Sequence, residues 1–256
     1  MGCLLLVFFD FKNSVLILSS ILALLFLCVI IKMPQIKEEI KGTTKLKSIF
    51  SLSTDTRINY LSIARLFLFG ARDVWFVVGI PLYFTSALTF GERFSEDTAF
   101  LLIGIFMACW IILYGISQVL APRMISKQIE LKPAKTIRKL ISILIIFPAI
   151  IVLLSYYNGS QPTFFLTISI VALLLFFGFF FALNSSLHSY LILLFSSKDT
   201  VTLNVGFYYM SNAAGRLLGT LLSGISFQIG GLTTCLAICS LMLILCLIFS
   251  QKIILK

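Results

Sequence analysis

The chain has 256 residues, of which 59% are hydrophobic and 12% are charged, and its mean hydropathy is +1.07. Soluble domains carry about 25% charged residues, so the composition excludes an ordinary soluble enzyme or binding domain and predicts an all-α polytopic membrane protein. The formal net charge of +10 does not indicate nucleic acid as a partner, because the basic residues lie in the connections between apolar runs.

Seven apolar runs are long enough to cross about 30 Å of hydrocarbon as helices. The predicted spans are 14–31, 58–86, 99–120, 139–156, 163–195, 201–229 and 232–250. Basic residues concentrate in alternate connections and at the C-terminus, whereas the opposite side has few of them. The positive-inside rule therefore predicts a multi-pass protein of the cytoplasmic membrane with a cytoplasmic C-terminus. Membrane lipid is then the immediate partner of the chain, and its anionic headgroups suit the basic loops.

A long basic connection divides the chain into unequal parts. Residues 1–31 hold a short apolar run and one full span, and we expect Met1 to fall inside a former transmembrane helix. Residues 32–57 are predicted to form a basic cytoplasmic central loop, 58–250 a six-helix half, and 251–256 a cytoplasmic tail. Six spans after such a loop are typical of one half of a transporter built from two six-helix halves. The sequence thus predicts a truncated transporter with about one and a half helices of the first half.

The span 58–86 carries Arg65, Arg72 and Asp73, although each charge in lipid costs at least about 2.5–3.5 kcal/mol on insertion scales. Arg65 and Arg72 are seven residues apart, so they lie within about 20° of each other around the helix. They predict a polar seam that faces protein or water. Asp73 points roughly 100° away from Arg72, so we expect it to meet a neighbouring helix rather than Arg72.

The only histidine, His188, lies near the cytoplasmic end of the span 163–195. It could relay protons or balance charge at a ligand site. A hydrogen-bonded histidine at a helix interface is the interpretation that we favour.

The span 201–229 contributes a further central arginine, Arg216, with Tyr209 and Asn212 at helical spacing before it. Gly215 and Gly219 form a GxxxG pair on the adjacent face, which would let another helix approach closely.

Arginine holds phosphate, arsenate or carboxylate oxygens with a fixed fork of donors. The sequence therefore predicts a site for a small anionic substrate, with charge balance or proton coupling by Asp73 and His188. The predicted substrate-binding residues are Arg65, Arg72, Arg216, Asn212 and Tyr209. The alternative is an ion pair of Asp73 with Arg72 or Arg216 that only joins helices. Three arginines against one intramembrane aspartate favour the anionic ligand.

The last span presents a stripe of Cys235, Cys239, Met242 and Cys246. A soft-metal or trivalent-arsenic thiol site is one interpretation. Packing of small and adaptable side chains is the interpretation we favour, since no charged neighbour would activate a thiol there. No metal-binding spacing, glycine-rich phosphate loop or Ser/His/Asp set occurs in the sequence, so we predict no enzyme, no metal and no cofactor.

Two stretches, "YLSIARLFLFGARDVWFVVGIPLYF" and "NVGFYYMSNAAGRLLGTLLSG", resemble the ArsJ family of organoarsenical efflux permeases in the major facilitator superfamily. The resemblance runs from about residue 58 to 250. It implies a secondary carrier that exports 1-arseno-3-phosphoglycerate and so confers arsenate resistance, functionally coupled to the glyceraldehyde-3-phosphate dehydrogenase that makes this ester. It also implies that 58–86 is helix seven of the superfamily fold, 201–229 helix eleven and 232–250 peripheral helix twelve.

The family has twelve helices, so the resemblance raises a separately encoded N-terminal half as a partner. Two other functions stay open. One is export of another small organic phosphate or carboxylate, because arginines do not identify the carbon skeleton. The other is a membrane fragment that transports nothing.

Overall fold

The computed structural model describes residues 5–6, 8–32, 53, 55–90, 94–131, 133–158, 163–198 and 200–253, without the side chains of 126–131 and 134. Its regular secondary structure is helical throughout these residues, which confirms the predicted all-α class. The helices are α1 (Phe11–Lys32), α2 (Thr56–Phe76), α3 (Gly79–Thr89), α4 (Glu96–Leu131), α5 (Pro133–Tyr157), α6 (Phe164–Phe195) and α7 (Val201–Lys252).

Five of these helices are long and apolar enough to cross a bilayer, namely α1, α4, α5, α6 and α7. The chain is therefore a multi-pass membrane protein, as predicted. The side of the membrane that the C-terminus faces, and the membrane that holds the chain, remain predictions. Most of the predicted central loop lies outside the described residues, as do residues 1–4 and 254–256.

The longest helix, α7, turns back on itself. Its 52 residues would extend about 78 Å as one straight helix, more than twice the thickness of the hydrocarbon. Gly230 and Gly231 have non-helical backbone angles, and Gly231 has a φ of 62°, a left-handed conformation that glycine adopts without steric cost. These two residues separate a first arm (201–229) from a second arm (232–252), which agrees with the two predicted spans.

The predicted span 58–86 is interrupted rather than continuous. Helix α2 ends at Phe76 and α3 begins at Gly79. The Val78 backbone N–H donates to Ser223 Oγ on the first arm of α7, at 3.2 Å. The break therefore leaves a backbone donor that a neighbouring helix satisfies, as a helix terminus in a membrane requires.

Helix α2 packs against both arms of α7, and its contact with the first arm has no intervening side chains. A Cβ added at Gly215 would overlap the backbone of Leu66, and one added at Gly219 would lie 2.5 Å from the Gly70 carbonyl oxygen. Met242 on the second arm covers Gly70 from the other side. The GxxxG pair thus has the close-packing role predicted for it, and it brings the backbones of α2 and α7 together beside the charged residues.

The first turn of α2 has a charged N-cap. The Asp55 carboxylate accepts a hydrogen bond from the Arg57 backbone N–H at 2.9 Å. The Arg57 guanidinium also pairs with this carboxylate at 2.7 Å and lies over the Phe195 ring. The hydrogen bond from Arg57 holds the pKa of the Asp55 carboxyl below its usual value, despite an opposing effect of burial.

Replacement of Asp55 by Ala is expected to destabilise the start of α2 by about 1 kcal/mol, the usual value of such a cap. Because the folded pKa lies below the unfolded one, the cap contributes fully above the unfolded pKa and is lost as pH falls through the folded value. Amide exchange of the first turn of α2, followed from neutral to acidic pH, measures both effects. Exchange as slow in the variant as in the parent would contradict this role.

Candidate functional site

One carboxylate is shared by two arginines where α2 meets the first arm of α7. Arg72 Nε donates to Asp73 Oδ1 at 2.6 Å, and Arg72 Nη2 lies 2.6 Å from the same oxygen. Arg216 donates from Nε to Asp73 Oδ2 at 3.1 Å. The Asp73 side chain is 2% exposed and the Arg216 side chain 59%. We call Arg72, Asp73 and Arg216 the carboxylate cluster. Its outer member, Arg216, presents part of its guanidinium away from the packed helices.

One prediction about this cluster is wrong. The helical wheel separates Arg72 from Asp73 by about 100°, and we expected Asp73 to meet only a neighbouring helix. Asp73 does meet Arg216 on α7, but it also pairs with Arg72. A long arginine side chain can curve around the helix surface, so the angle between two Cβ directions does not limit where a guanidinium can reach.

The third arginine belongs to a separate group of polar side chains between α2, α4 and α6. Arg65 is 4% exposed, and its Nη1 donates to the Ser185 carbonyl oxygen at 3.0 Å and to Ser185 Oγ at 3.2 Å. Tyr114 and Gln118 of α4 also donate to Ser185 Oγ, each at 3.4 Å. We call this group, together with His188 and Tyr208, the Arg65 cluster. The predicted seam that faces away from lipid is confirmed for Arg65 and Arg72.

An aromatic side chain joins the two groups. The Arg65 guanidinium lies 3.9 Å from the centroid of the Phe69 ring, and the Arg72 guanidinium lies 5.2 Å from the same ring. Tyr208 covers Arg65 at 4.8 Å, and Phe181 lies 5.5 Å from Arg72. Cation–π contacts of this kind stabilise a desolvated cation without cancelling its charge.

The charges of the two groups do not balance. The ion pairs among the described residues are Arg57–Asp55, Arg72–Asp73 and Arg216–Asp73. Arg72 and Arg216 share one carboxylate and Arg65 contacts none, so these three arginines carry two positive charges in excess. This arrangement includes the interhelical ion pair that was the structural alternative, but that pair accounts for only one of the three cations.

His188 is fully buried on α6, and neither of its ring nitrogens has a hydrogen-bond partner. Asn184, one turn earlier, donates from Nδ2 to the Phe180 carbonyl oxygen, whereas its Oδ1 has no partner. Most buried polar atoms in proteins are hydrogen-bonded, so each exception needs an explanation such as a ligand, an ion or a water molecule. His188 lies at a helix interface, as that interpretation expected, but among the described residues no protein group hydrogen-bonds to its ring.

The remaining predicted residues of the first arm lie differently. Tyr209 is 54% exposed and packs against Tyr208, whereas Tyr208 is the tyrosine that faces Arg65. Asn212 is half-buried, and its Oδ1 has no partner. The structure thus brings Arg72, Asp73 and Arg216 together, and it places Arg65 and His188 in the second cluster.

The cysteine stripe of the second arm faces α2 and α3. Cys235 Sγ accepts from Ser226 Oγ at 3.2 Å and lies 3.3 Å from the position of a Cβ at Gly79. Cys239 and Cys246 are fully buried. Among the described residues, no three His, Cys, Asp or Glu side chains lie where they could hold a metal ion together. These contacts fit the packing interpretation of the stripe.

A cavity of about 590 Å³ lies between α4 and α6, and it shares Tyr114 with the Arg65 cluster. Trp110, Tyr114 and Ser117 line it together with aromatic side chains of α6, and no arginine does. Trp110 Nε1 donates to the Leu174 carbonyl oxygen at 2.9 Å, and the Tyr114 ring stacks on Trp110. This cavity has an apolar lining and offers no donor set for an anion.

Four residues of the Arg65 cluster were not predicted, namely Ser185, Tyr114, Gln118 and Tyr208. The available signal was weak, because uncharged polar residues on apolar spans are common and only the packing of three helices makes these converge. The chain matches no protein-family model and no curated protein.

Proposed function

We propose that the chain is a membrane carrier of a small organic anion and that the carboxylate cluster binds the anion. The observation that supports this proposal is the single carboxylate that two arginines share, which leaves one positive charge of the carboxylate cluster without a counter-ion. Buried charges are normally paired, because a lone charge in a medium of low dielectric constant is costly. A carried anion would supply the missing negative charge, and the arginine fork suits a phosphoryl, arsenyl or carboxylate group.

Arg216 would make the first contact with the anion. Only its Nε is engaged by Asp73, and its side chain is 59% exposed. An arginine exposed to lipid at this depth would be costly, so the outer face of the first arm is expected to border water or protein. Arg72, on α2, lies behind Arg216. Asn212 and Tyr209 lie on the same arm as Arg216. Asp73 would balance charge or take part in proton coupling, whereas Arg65 and His188 belong to the second cluster and would not contact the carried anion.

We further propose that residues 58–250 adopt the arrangement of the C-terminal half of a major facilitator superfamily transporter. Six spans that follow a long basic loop support this proposal. So does the close pairing of α2 with the first arm of α7, which brings two charge-bearing spans together at the expected pathway. The missing half would be a separately encoded protein or another part of the same polypeptide.

The proposed cargo is 1-arseno-3-phosphoglycerate, on the strength of the two stretches that resemble ArsJ. Export across the cytoplasmic membrane would then confer arsenate resistance in cells whose glyceraldehyde-3-phosphate dehydrogenase makes this ester. Its phosphoryl and arsenyl groups suit two arginines at one site. Another small organic phosphate or carboxylate would satisfy the same donors, so the residues favour an anion and the resemblance alone favours the arsenical.

Replacement of Arg216 by Gln is expected to lower transport at least tenfold while the protein stays in the membrane, because the accessible fork for the anion is lost. Replacement of Arg72 by Ala is expected to abolish transport. Lys252→Gln is the matched control: it removes one positive charge from the same helix, but Lys252 faces the rings of Tyr60 and Phe249 at the end of the second arm. An equal loss of transport in the Lys252 variant would show that the effect of Arg216→Gln comes from net charge alone.

The decisive experiment is the survival of an arsenate-sensitive bacterium that expresses the chain with a glyceraldehyde-3-phosphate dehydrogenase. A parallel strain carries the gene extended upstream of the Met1 codon. Survival on toxic phosphonates and carboxylates is measured beside arsenate. Protection from arsenate that Arg216→Gln removes supports the arsenical cargo, and protection only from the other anions supports the second candidate. If neither strain is protected from any anion although both proteins reach the membrane, the carrier proposal is wrong.

A further inference from the structure

We propose that the Arg65 cluster is a second anion site, in which a small monoanion of the halide class resides as a structural counter-ion. This site is separate from the carboxylate cluster and does not depend on the identity of the carried anion. Four features of the cluster support it: an unbalanced buried charge, unused donors, a restricted opening and an unsatisfied acceptor.

The first feature is the charge of Arg65. The side chain is 4% exposed, and the nearest intramembrane carboxylate, Asp73, is engaged by Arg72 on one oxygen and by Arg216 on the other. The contacts of Arg65 to Ser185 and to two aromatic rings involve only neutral groups. A guanidinium stays charged at any physiological pH, and a buried charge normally has a partner of opposite sign.

The second feature is the set of unused donors. Arg65 Nε is buried without a hydrogen-bond partner, and so are both ring nitrogens of His188. Imidazole carries at least one N–H group in either protonation state. Arg65 bonds to Ser185, three residues before His188 on α6, so His188 lies about one helical turn from this contact. An anion between them would receive hydrogen bonds from both.

The third feature is the restricted access to the guanidinium. Phe69 lies 3.9 Å from Arg65 Cζ and Tyr208 lies 4.8 Å from it, so aromatic rings cover the guanidinium. Nη1 is engaged by Ser185. The edge of the guanidinium that carries Nε remains available to an anion. A small ion fits this edge better than a phosphoryl group with three oxygens does. A single uncompensated charge also matches a monoanion rather than a dianion.

The fourth feature, Asn184 Oδ1, is an acceptor and would not contact an anion directly. A water molecule that accompanies the halide could donate to Asn184 Oδ1 and to the ion at once. Such bridging waters commonly satisfy buried polar atoms in proteins.

The test is thermal unfolding of the full chain in lipid nanodiscs, with sodium chloride exchanged for sodium gluconate at constant ionic strength. Trp75 and Trp110 are both buried and touch each other, so their fluorescence reports unfolding of the α2–α4 region. We expect chloride to raise Tm with the logarithm of its concentration above Kd, by about 5 °C at about one hundred times Kd. Gluconate is too large to enter the site and should have no effect.

Arg65→Gln should remove the chloride dependence, and in gluconate its Tm should equal or exceed that of the parent, because the unbalanced charge is gone. Arg216→Gln is the control, since it alters the carboxylate cluster and should keep the full chloride effect. If Arg65→Gln does not fold, chloride-35 line broadening by the parent chain, lost on addition of excess bromide, gives the same information without a variant.

A Tm that is equal in chloride and gluconate, with no chloride-35 broadening, would overturn the proposal and leave only water around Arg65. Loss of the chloride effect in Arg216→Gln but not in Arg65→Gln would also overturn it, because the ion would then belong to the carboxylate cluster. Neither result would alter the proposal that the chain is a carrier, which rests on the transport assays.

Discussion

Replacement of Gly215 by Ala is expected to separate α2 from α7 and to lower the free energy of unfolding by at least about 2 kcal/mol. The added methyl group would overlap the Leu66 backbone, and a backbone cannot rotate away as a flexible side chain can. Overpacking usually costs about 1–3 kcal/mol. The helices would have to move apart, so the 3.1 Å contact between Arg216 and Asp73 should also be lost. Both the midpoint of thermal unfolding in detergent and the transport rate are expected to fall.

Gly224→Ala provides the matched control for this prediction. Gly224 lies on the same arm, and a Cβ added there would meet no atom within 4 Å. Alanine is favoured over glycine in a helix by about 1 kcal/mol, so this variant should be as stable as the parent or slightly more so. If Gly215→Ala and Gly224→Ala had the same stability, the close approach of α2 and α7 would not limit the fold.

The second large effect is expected at Asp73. Removal of one partner from a buried ion pair costs about 3–5 kcal/mol, because the other charge is left without compensation. Asp73→Ala should therefore destabilise the chain strongly, mainly through Arg72, whose side chain is 13% exposed. Arg216 should contribute less, since solvent screens a cation that is 59% exposed. The measurement is the midpoint of unfolding in detergent, compared with that of the parent.

A double variant then separates stability from function. Arg72→Met combined with Asp73→Ala removes both charges, and an apolar pair of similar volume often restores stability at such sites. If the cluster binds an anion, the double variant should recover its folding but not its transport. Recovery of both would show that these charges have only a structural role, which was the alternative raised by the sequence.

Class, span positions and the charged helix could be predicted from sequence because each depends on local composition. Hydropathy over about 20 residues identified the apolar runs, and two adjacent glycines, Gly230 and Gly231, marked the turn between the last two spans. The role of the GxxxG pair could also be predicted, because small residues at that spacing permit the close approach of another helix. These features require no knowledge of which helices are neighbours.

The composition of the two clusters could not be predicted, because it depends on which helices meet and on where long side chains end. Arg65 lies close to Arg72 on the helical wheel, but Phe69 stands between their guanidinium groups and gives each a different set of partners. Tyr208, next to the predicted Tyr209, faces Arg65, because the rotation of the first arm is fixed by its glycine contacts with α2. The break at Val77 and Val78 was also missed, since apolar residues on both sides conceal it.

The pairing of Asp73 with Arg216 has a consequence for the synthesis of the protein. The two residues are 143 positions apart in the chain. A ribosome adding about 5–20 residues per second needs roughly 7 to 30 s to reach Arg216 after Asp73 has emerged. During that interval α2, which is too charged to be counted among the apolar spans, has no helix with which to share its carboxylate. The nascent chain is therefore expected to keep α2 beside the insertion machinery or a membrane chaperone, and a ribosome stalled before residue 216 should leave α2 accessible to water-soluble labels.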